Sequence, residues 1–352
     1  MAKRPTVYDV ASLAGVSIAT VSFAFNRPEK LRAQTLATVL SAAGSIGYVP
    51  SANARGLARG RTGALGLYAF DYLLEPPTQP GESVPPPTTR SDGRLFPLYS
   101  DEVQRGVQLE CRSRGYALML GSGQNPGHLS NVIDVAGRVD GLIAFAGAAP
   151  DASLEQVLTR IPVVELGGEV RREGMHTIFV DNMVAMSELT EHLLDVHGHR
   201  RFAYLGERGT AEFVARYDGF AAALTGRGID PPEPTRSHPG DDGTTVEAVT
   251  RYLSASSMPD VFVCSSDQEA LVAIDTLRAA GFSVPADVAV TGFDGILAGQ
   301  LASPLLTTVR QPMEEIGRAA VRMLAELIDG RDDADRHDVL QSSVRIGHSC
   351  GC

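Results

Sequence analysis

The side chains in this sequence that could act on a partner gather in three places. The first is the opening stretch, where Ser17, Thr20, Ser22 and Asn26 supply hydroxyl and amide groups within ten residues, with apolar Ile18, Ala19 and Phe23 among them. Small polar groups of this kind hold phosphate oxygens, and apolar ones touch base edges such as thymine methyl groups. The second place is His192, His197 and His199, imidazoles that are metal ligands by type. The third is His348-Ser-Cys350-Gly-Cys352, which offers soft ligands. Gly121-Ser-Gly123 resembles a fragment of a nucleotide loop, but the third glycine of that fingerprint is missing and a strand-end turn is expected.

The elements that must position the first set are short helices. Thr6-x-x-Asp9 is a helix start, with Val10, Leu13 and Ala14 on one face and Gly15 as the break. Ser17 can cap a second helix from Ile18 to Asn26, with Val21 and Phe25 toward the core. A third segment places Leu36, Val39, Leu40 and Ala43 on one face and closes at Gly47. Two short helices joined by a tight glycine turn form a helix-turn-helix, whose second helix enters the major groove. On spacing alone, a three-helix bundle that binds nothing or docks protein remains the alternative.

Charge separates the two readings. The 352 residues carry 31 basic and 42 acidic side chains, a net of −11. Residues 1–62 hold eight basic groups (Lys3, Arg4, Arg27, Lys30, Arg32, Arg55, Arg59, Arg61) against Asp9 and Glu29, a net of +6. That leaves 23 basic and 40 acidic side chains, a net of −17, on the other 290 residues. A basic head on an acidic body suits phosphate contact by the head alone. Between them, Pro50 ends one element, Ser51 can cap the next, and Ala52 to Ala58 could form two turns of helix with Gly56 inside. A segment so short is marginal by itself. It reads either as a plain linker or as a hinge that orders on DNA, with Leu57 as an apolar wedge in the minor groove.

Several classes drop out. No stretch approaches 18 unbroken apolar residues, so no membrane span or membrane partner is expected. The start lacks an apolar h-region and four cysteines make no disulfide framework, so a cytoplasmic location is expected. There is no Gly-x-Ser-x-Gly elbow, Walker loop or Cys-x-x-Cys pair, so an enzyme is not expected. The body alternates apolar strand runs (Ala64–Phe70, Tyr116–Leu120, Gly141–Phe145, Val163–Leu166, Phe202–Leu205, Val261–Cys264, Val288–Thr291) with helical stretches (Glu102–Arg114, Met183–Val196, Ala215–Thr225, Thr245–Leu253, Gln268–Ala280). Such alternation predicts parallel sheets covered on both faces, which bind ligands at the carboxyl ends of their strands. About 290 residues is long for one core, so two doubly wound α/β lobes are predicted.

These residues also carry a resemblance. Val7-Tyr8-Asp9-Val10-Ala11-x-x-Ala14-Gly15-Val16-Ser17-x-x-Thr20-Val21-Ser22, then Asn26, then Gly47-Tyr48-x-Pro50-x-x-x-Ala54-Arg55-x-Leu57-Ala58 resembles the head and hinge of the lactose/galactose repressor family. Arg138-Val-Asp-Gly-Leu-Ile143, Ile161-Pro-Val-Val164, Asp181-Asn182, His197-Gly-His-Arg-Arg-Phe202, Arg216-x-x-Gly-Phe220, Val288-Ala-Val-x-Gly-Phe-Asp294 and Leu306-Thr-Thr-Val309 follow in family order. The resemblance implies an all-α helix-turn-helix head over 1–49, a hinge over 50–62 and a body over 63–352 similar to periplasmic sugar-binding proteins. Its first lobe would span 63–167 and 308–330, and its second 168–307 with a tail over 331–352.

It further implies a homodimeric transcription regulator, a repressor being expected, on a pseudo-palindromic double-stranded operator, released or recruited by a small molecule, a sugar being expected, without a further cofactor. DNA contacts are implied at Thr6, Tyr8, Ser17, Ile18, Ala19, Thr20, Ser22, Phe23, Asn26, Arg27, Ser51, Ala54, Arg55 and Leu57. Effector contacts are implied at Tyr99, which would stack on the ligand, at Arg216 and Asp267, which would clamp a polyol from two sides, and at Asp294. Phe23 stands where many members carry a polar or basic reader, and Ser266 where most carry Asn. Residues 74–97, with seven prolines, lengthen a turn that is short in typical members, either as a lid or as an exposed insertion. The resemblance places His197-Gly-His199 in a helix-to-strand turn; the three ligands of the tail cannot complete a closed site without outside partners, and similar Cys-Gly-Cys tails occur in the family, so no metal is expected.

Overall fold

A computed structural model describes residues 5–49, 60–69, 98–122, 131–168, 173–237, 242–255, 258–331 and 335–352. The chain divides into two compact units, Met1–Gly63 and Ala64–Cys352.

The first unit holds helices α1 (Val7–Ala14), α2 (Ile18–Asn26) and α3 (Ala33–Ser45), with a 3-10 turn at Pro28–Lys30. Thr6 and Asp9 form the expected capping box: the Thr6 amide donates to the Asp9 carboxylate at 2.7 Å, and the Asp9 amide donates to the Thr6 hydroxyl at 3.4 Å. Gly15 ends α1 at φ 64°, a left-handed conformation that glycine adopts without strain. Ser17 then accepts from the Thr20 amide to start α2, and the chain turns by 105° between the two helices. Val10, Ala11, Val21, Ala24, Val39, Ala42 and Ala43 make the core, with Phe25 and Tyr48 against it. Leu13 and Leu40, placed on the inner face by the spacing argument, are instead 56% and 45% exposed. Small alanines draw the helices together and leave no depth for those two leucines.

The second unit contains two sheets. In the first, strands run in the order β10 (His337–Leu340), β5 (Met175–Val180), β4 (Val163–Leu166), β3 (Gly141–Phe145), β1 (Ala64–Ala69), β2 (Ala117–Ser122), all parallel. In the second, the order is β11 (Ser343–Arg345), β9 (Thr307–Arg310), β8 (Ala289–Asp294), β7 (Val261–Cys264), β6 (Phe202–Leu205). Its pairs are parallel except β11 with β9, which is antiparallel. Strands β3, β4, β6, β7 and β8 are buried along their whole length, as continuous apolar runs sandwiched by helices must be.

Helices α4 (Leu98–Arg114), α5 (Asn131–Ala136) and α6 (Asp151–Leu158) belong to the first lobe. Helices α7 (Asn182–Asp195), α8 (Ala211–Thr225), α9 (Asp242–Ser254), α10 (Asp267–Ala279) and the short α11 (Leu297–Leu301) follow. Helix α12 (Met313–Ile328) returns to the first lobe and presses on α4. The approach is so close that a Cβ on Gly106 would stand 2.0 Å from the Glu314 carbonyl oxygen, and one on Gly317 2.2 Å from that of Val103.

The lobe boundaries need correction. The crossing expected near Gly167 lies later, because β5 pairs with β4 in the first sheet and the chain leaves only after Val180. The return expected near Thr308 also comes later, since Thr307–Arg310 is still a strand of the second sheet. The tail then crosses again, giving β10 to the first sheet and β11 to the second. Among the described residues, no single helix is long and apolar enough to span a membrane.

Candidate functional site

In the head, Ser17, Ile18, Ala19, Ser22 and Phe23 all lie on the solvent side of α2, and Tyr8 and Arg27 are exposed beside it. Tyr8, Ile18 and Phe23 are 67%, 42% and 40% exposed, so their apolar surface is available to a partner. The Asn26 amide donates to the Ser22 carbonyl at 2.9 Å and its hydroxyl at 3.2 Å, and Thr20 shares a hydrogen bond with Ser17, which fixes the polar rim of that face. Thr6 is occupied as a cap. The structure therefore leaves Tyr8, Ser17, Ile18, Ala19, Ser22, Phe23 and Arg27 exposed, with Thr6, Thr20 and Asn26 half-buried. Ser51, Ala54, Arg55 and Leu57 lie outside the described residues, as does the insertion at 74–97.

In the body, Arg216 on α8 is the centre of a buried polar cluster at the carboxyl ends of the second sheet. Its Nε donates to Asn182 Oδ1 at 2.9 Å, its Nη1 donates to the Ser265 carbonyl at 2.7 Å, and Nη1 stands 3.4 Å from Asp294 Oδ1. The guanidinium carbon Cζ lies over Phe293, 3.9 Å from the ring centroid, and 5.1 Å from that of Phe213. Asp294 ends β8 at φ 120°, a conformation that costs a non-glycine residue about 1–3 kcal/mol and is retained where a site requires it. Gln311 Nε2 donates to its carboxylate at 2.8 Å. Burial pushes the Asp294 carboxyl above the usual carboxylate range, against the opposing pull of Arg216 and Gln311.

The first lobe contributes Tyr99, at the start of α4, packed edge-on against Phe145 at the end of β3, with ring centroids 6.2 Å apart. Burial raises the Tyr99 hydroxyl well above its ordinary range, and the nearby Glu212 and Asp294 carboxylates raise it further. Glu212 lies against the end of β4, where Gly167 at φ 83° has room for it only because a Cβ would meet Glu212 Oε1 at 2.2 Å. Tyr99, Arg216 and Asp294 are thus brought near one another.

Asp267 is not their equal. It is fully buried, and its carboxylate accepts from the Thr308 hydroxyl, from the Ile296 amide at 2.8 Å and from the Gly295 amide. Arg216 and Asp267 do not bond each other: the carboxylate beside Arg216 is Asp294, and Asp267 holds the turn that presents it. Sequence reasoning missed Glu269, whose carboxylate accepts from Ser265, Ser266 and Ser237 and is pushed up to about 7 by burial. It also missed Asn182 and Gln311 as partners, although Asp181-Asn182 marks the place.

The Cys-Gly-Cys tail meets side chains from outside it: His192 and His197 stand against Cys350 and Cys352.

Comparison with known proteins agrees with this layout. Residues 6–51 match the description "Bacterial regulatory proteins, lacI family", and residues 190–350 match "Periplasmic binding protein-like domain". The HTH-type transcriptional repressor PurR of Mannheimia succiniciproducens is 30% identical over 338 residues, covering 93% of each chain. The HTH-type transcriptional regulator CelR of Thermobifida fusca is 30% identical, covering 99% of this chain and 98% of its own. Among solved structures, the CelR–cellobiose complex superposes with a TM-score of 0.67 at 27% identity, over 98% and 100% of the two chains. The lac repressor dimer bound to operator and the anti-inducer ONPF gives 0.77 at 22% identity, over 99% of each, which speaks to the fold.

Proposed function

This chain belongs to the lacI family of bacterial regulatory proteins and is by that membership a DNA-binding transcriptional regulator, and we propose that it is a repressor whose operator affinity is set by a neutral sugar held between Tyr99, Arg216 and Asp294. The observation that carries this reading is the Arg216–Asp294 pair, buried at the strand ends with an aromatic ring from the opposite lobe beside it. An arginine already opposed by a carboxylate forms a net-neutral donor–acceptor fork. Such a fork suits vicinal hydroxyls, whereas an anionic ligand would have to displace Asp294. The similarity to the CelR–cellobiose complex supports the same ligand class.

On DNA, the proposal places two copies on a pseudo-palindromic operator, with Ile18, Ala19 and Phe23 toward base edges and Ser17, Thr20, Ser22, Asn26 and Arg27 toward phosphates. Thr6 and Tyr8 would flank that contact, Ser51, Ala54 and Arg55 would belong to the hinge, and Leu57 would enter the central minor-groove step. The sugar acts by differential affinity for two lobe arrangements, the only means by which a ligand can shift an equilibrium.

The test is a thermal-shift panel of neutral sugars, cellobiose among them, followed by anisotropy titration of a palindromic duplex selected from a random pool. A sugar that raises the melting temperature and changes duplex affinity is expected. Binding restricted to anions, or equal duplex affinity of wild type and Leu57→Ala, would refute the respective half of the reading.

A further inference from the structure

We propose that Cys350, Cys352, His192 and His197 form a tetrahedral zinc site that pins the C-terminal tail to the underside of the second lobe. The four ligand atoms, two Sγ and two imidazole nitrogens, all lie within 4.8 Å of one another. Cys350 Sγ is 3.7 Å from His192 Nε2, and Cys352 Sγ is 3.6 Å from His192 Nε2 and 3.2 Å from His197 Nε2. A zinc ion with bonds of about 2.3 Å to sulfur and about 2.05 Å to nitrogen spaces sulfur from nitrogen by about 3.5 Å along a tetrahedral edge. The observed separations bracket that value, so a metal would need only small side-chain movements to be seated. Two thiols and two imidazoles are a soft set that selects zinc over the hard alkaline-earth ions.

The surroundings are built for this geometry. Gly351 separates the two cysteines at φ 108°, a left-handed backbone conformation that favours glycine, and its Cα faces the His197 ring. His199 stacks on His197, with centroids 5.5 Å apart, and bonds to the Cys350 backbone, so it orients both halves without being a ligand. The Thr307 hydroxyl accepts from the Gly347 amide at 2.9 Å and stands 3.1 Å from Cys350 Sγ. With its lone pair engaged, its proton points at the sulfur, as the outer contact of a metal thiolate does. Ser349, fully buried, ties the same tail to β8 and β9: its hydroxyl donates to the Val290 carbonyl at 2.6 Å and accepts from the Thr307 amide at 2.9 Å.

The site lies at the amino ends of the second sheet, before β6 and β9, whereas the Arg216 cluster lies at the carboxyl ends. Its role is therefore structural. It closes the antiparallel edge strand β11 onto α7, and α7 in turn supplies Asn182 to Arg216.

The experiment uses untagged full-length protein purified under reductant, with zinc measured by elemental analysis and native mass spectrometry. One zinc per chain is expected, falling at least tenfold in Cys352→Ser and in His197→Asn, both at partly exposed positions that should leave the fold intact. Thr307→Val should weaken zinc affinity about 10–100-fold, the usual effect of losing an outer contact. Cobalt substitution should give the intense visible bands of a tetrahedral thiolate site, and chelation should lower the melting temperature of wild type but not of Cys352→Ser. Zinc retained at full stoichiometry in both variants, no uptake on titration with zinc alone, or a Cys350–Cys352 disulfide in protein kept reduced would each overturn the assignment.

Discussion

Replacing Glu269 by Gln should remove a defined part of the pH dependence of stability. The Glu269 side chain is buried at the start of α10; Oε2 accepts from the Ser265 and Ser266 hydroxyls, while Oε1 has no hydrogen-bond partner. Half-satisfied in this way, the carboxyl is pushed from 4.5 up to about 7, burial outweighing the hydroxyls. The native state keeps a proton that the unfolded chain has already released. This contribution is therefore complete below about pH 4.5 and is lost as pH rises through about 7. At about 1.4 kcal/mol per pH unit the full loss is about 3 kcal/mol, of which about 2 kcal/mol falls between pH 5.5 and 8. An amide carries no proton to lose, so Glu269→Gln should lack this slope. Its absolute stability at one pH is not decisive, because an unpaired amide donor costs about 1–3 kcal/mol by itself. The measurement is urea unfolding of both proteins at pH 5.5, 6.5 and 8. The wild type should lose about 2 kcal/mol more than the variant across that range. Parallel lines, within about 0.5 kcal/mol, would refute the account of Glu269.

Four further outcomes are expected. Arg216→Met should abolish sugar binding and destabilise the body by about 3–5 kcal/mol in urea melts, since it leaves the buried Asp294 uncompensated; adding Asp294→Asn should recover part of that loss. Sugar affinity measured by calorimetry should fall at mildly acidic pH, because the raised Asp294 carboxyl protonates there and ceases to accept hydroxyls; the residual affinity of Asp294→Asn should be flat with pH. Glu102→Ala removes the acceptor that caps the Leu297 amide from the opposite lobe at 3.0 Å, and should speed hydrogen exchange in α11 while leaving that of α7 unchanged. In the head, Arg27→Ala should lower the log–log salt slope of duplex binding by about 1, whereas Phe23→Ala should weaken binding with the slope intact.

Much of this was legible in the sequence because the signals were local. The Thr6–Asp9 box, the Ser17 cap and the glycine at position 15 set α1 and α2, and both appear where the spacing puts them. The apolar strand runs are likewise where expected, β2 extending two residues further, to Ser122, and β8 three, to Asp294. What failed was non-local. Strand β5 carries His176 and Thr177 in buried positions, so it shows no clean apolar run, and its pairing with β4 moved the lobe boundary. Asp267 and Asp294 end or follow neighbouring strands and are chemically alike. Which of them faces Arg216 depends on the Gly295–Ile296 amides, whose direction no spacing rule gives. The two halves of the histidine–cysteine cluster are separated by more than 150 residues and meet only because β11 turns the tail back under β9.

The turn from Asp294 to Leu297 is where a ligand could deliver its differential affinity. Its first residue faces Arg216 in a strained conformation, Ile296 packs into the apolar core of the first lobe, and the Leu297 amide is held by Glu102 of that lobe. Four residues thus join the polar cluster of one lobe to the packing of the other. A sugar that competes for Asp294 must disturb the hydrogen bonds that set this turn, and any rotation of the turn withdraws Ile296 from a close-packed pocket. Close-packed contacts do not deform smoothly; they hold or release. On the proposed reading, a modest change at one carboxylate would in this way be converted into a choice between two lobe arrangements. The same logic explains why Asp267 is buried and fully bonded: a turn that must store strain at Asp294 needs a rigid anchor behind it, and a carboxylate accepting from the Gly295 and Ile296 amides and the Thr308 hydroxyl supplies one.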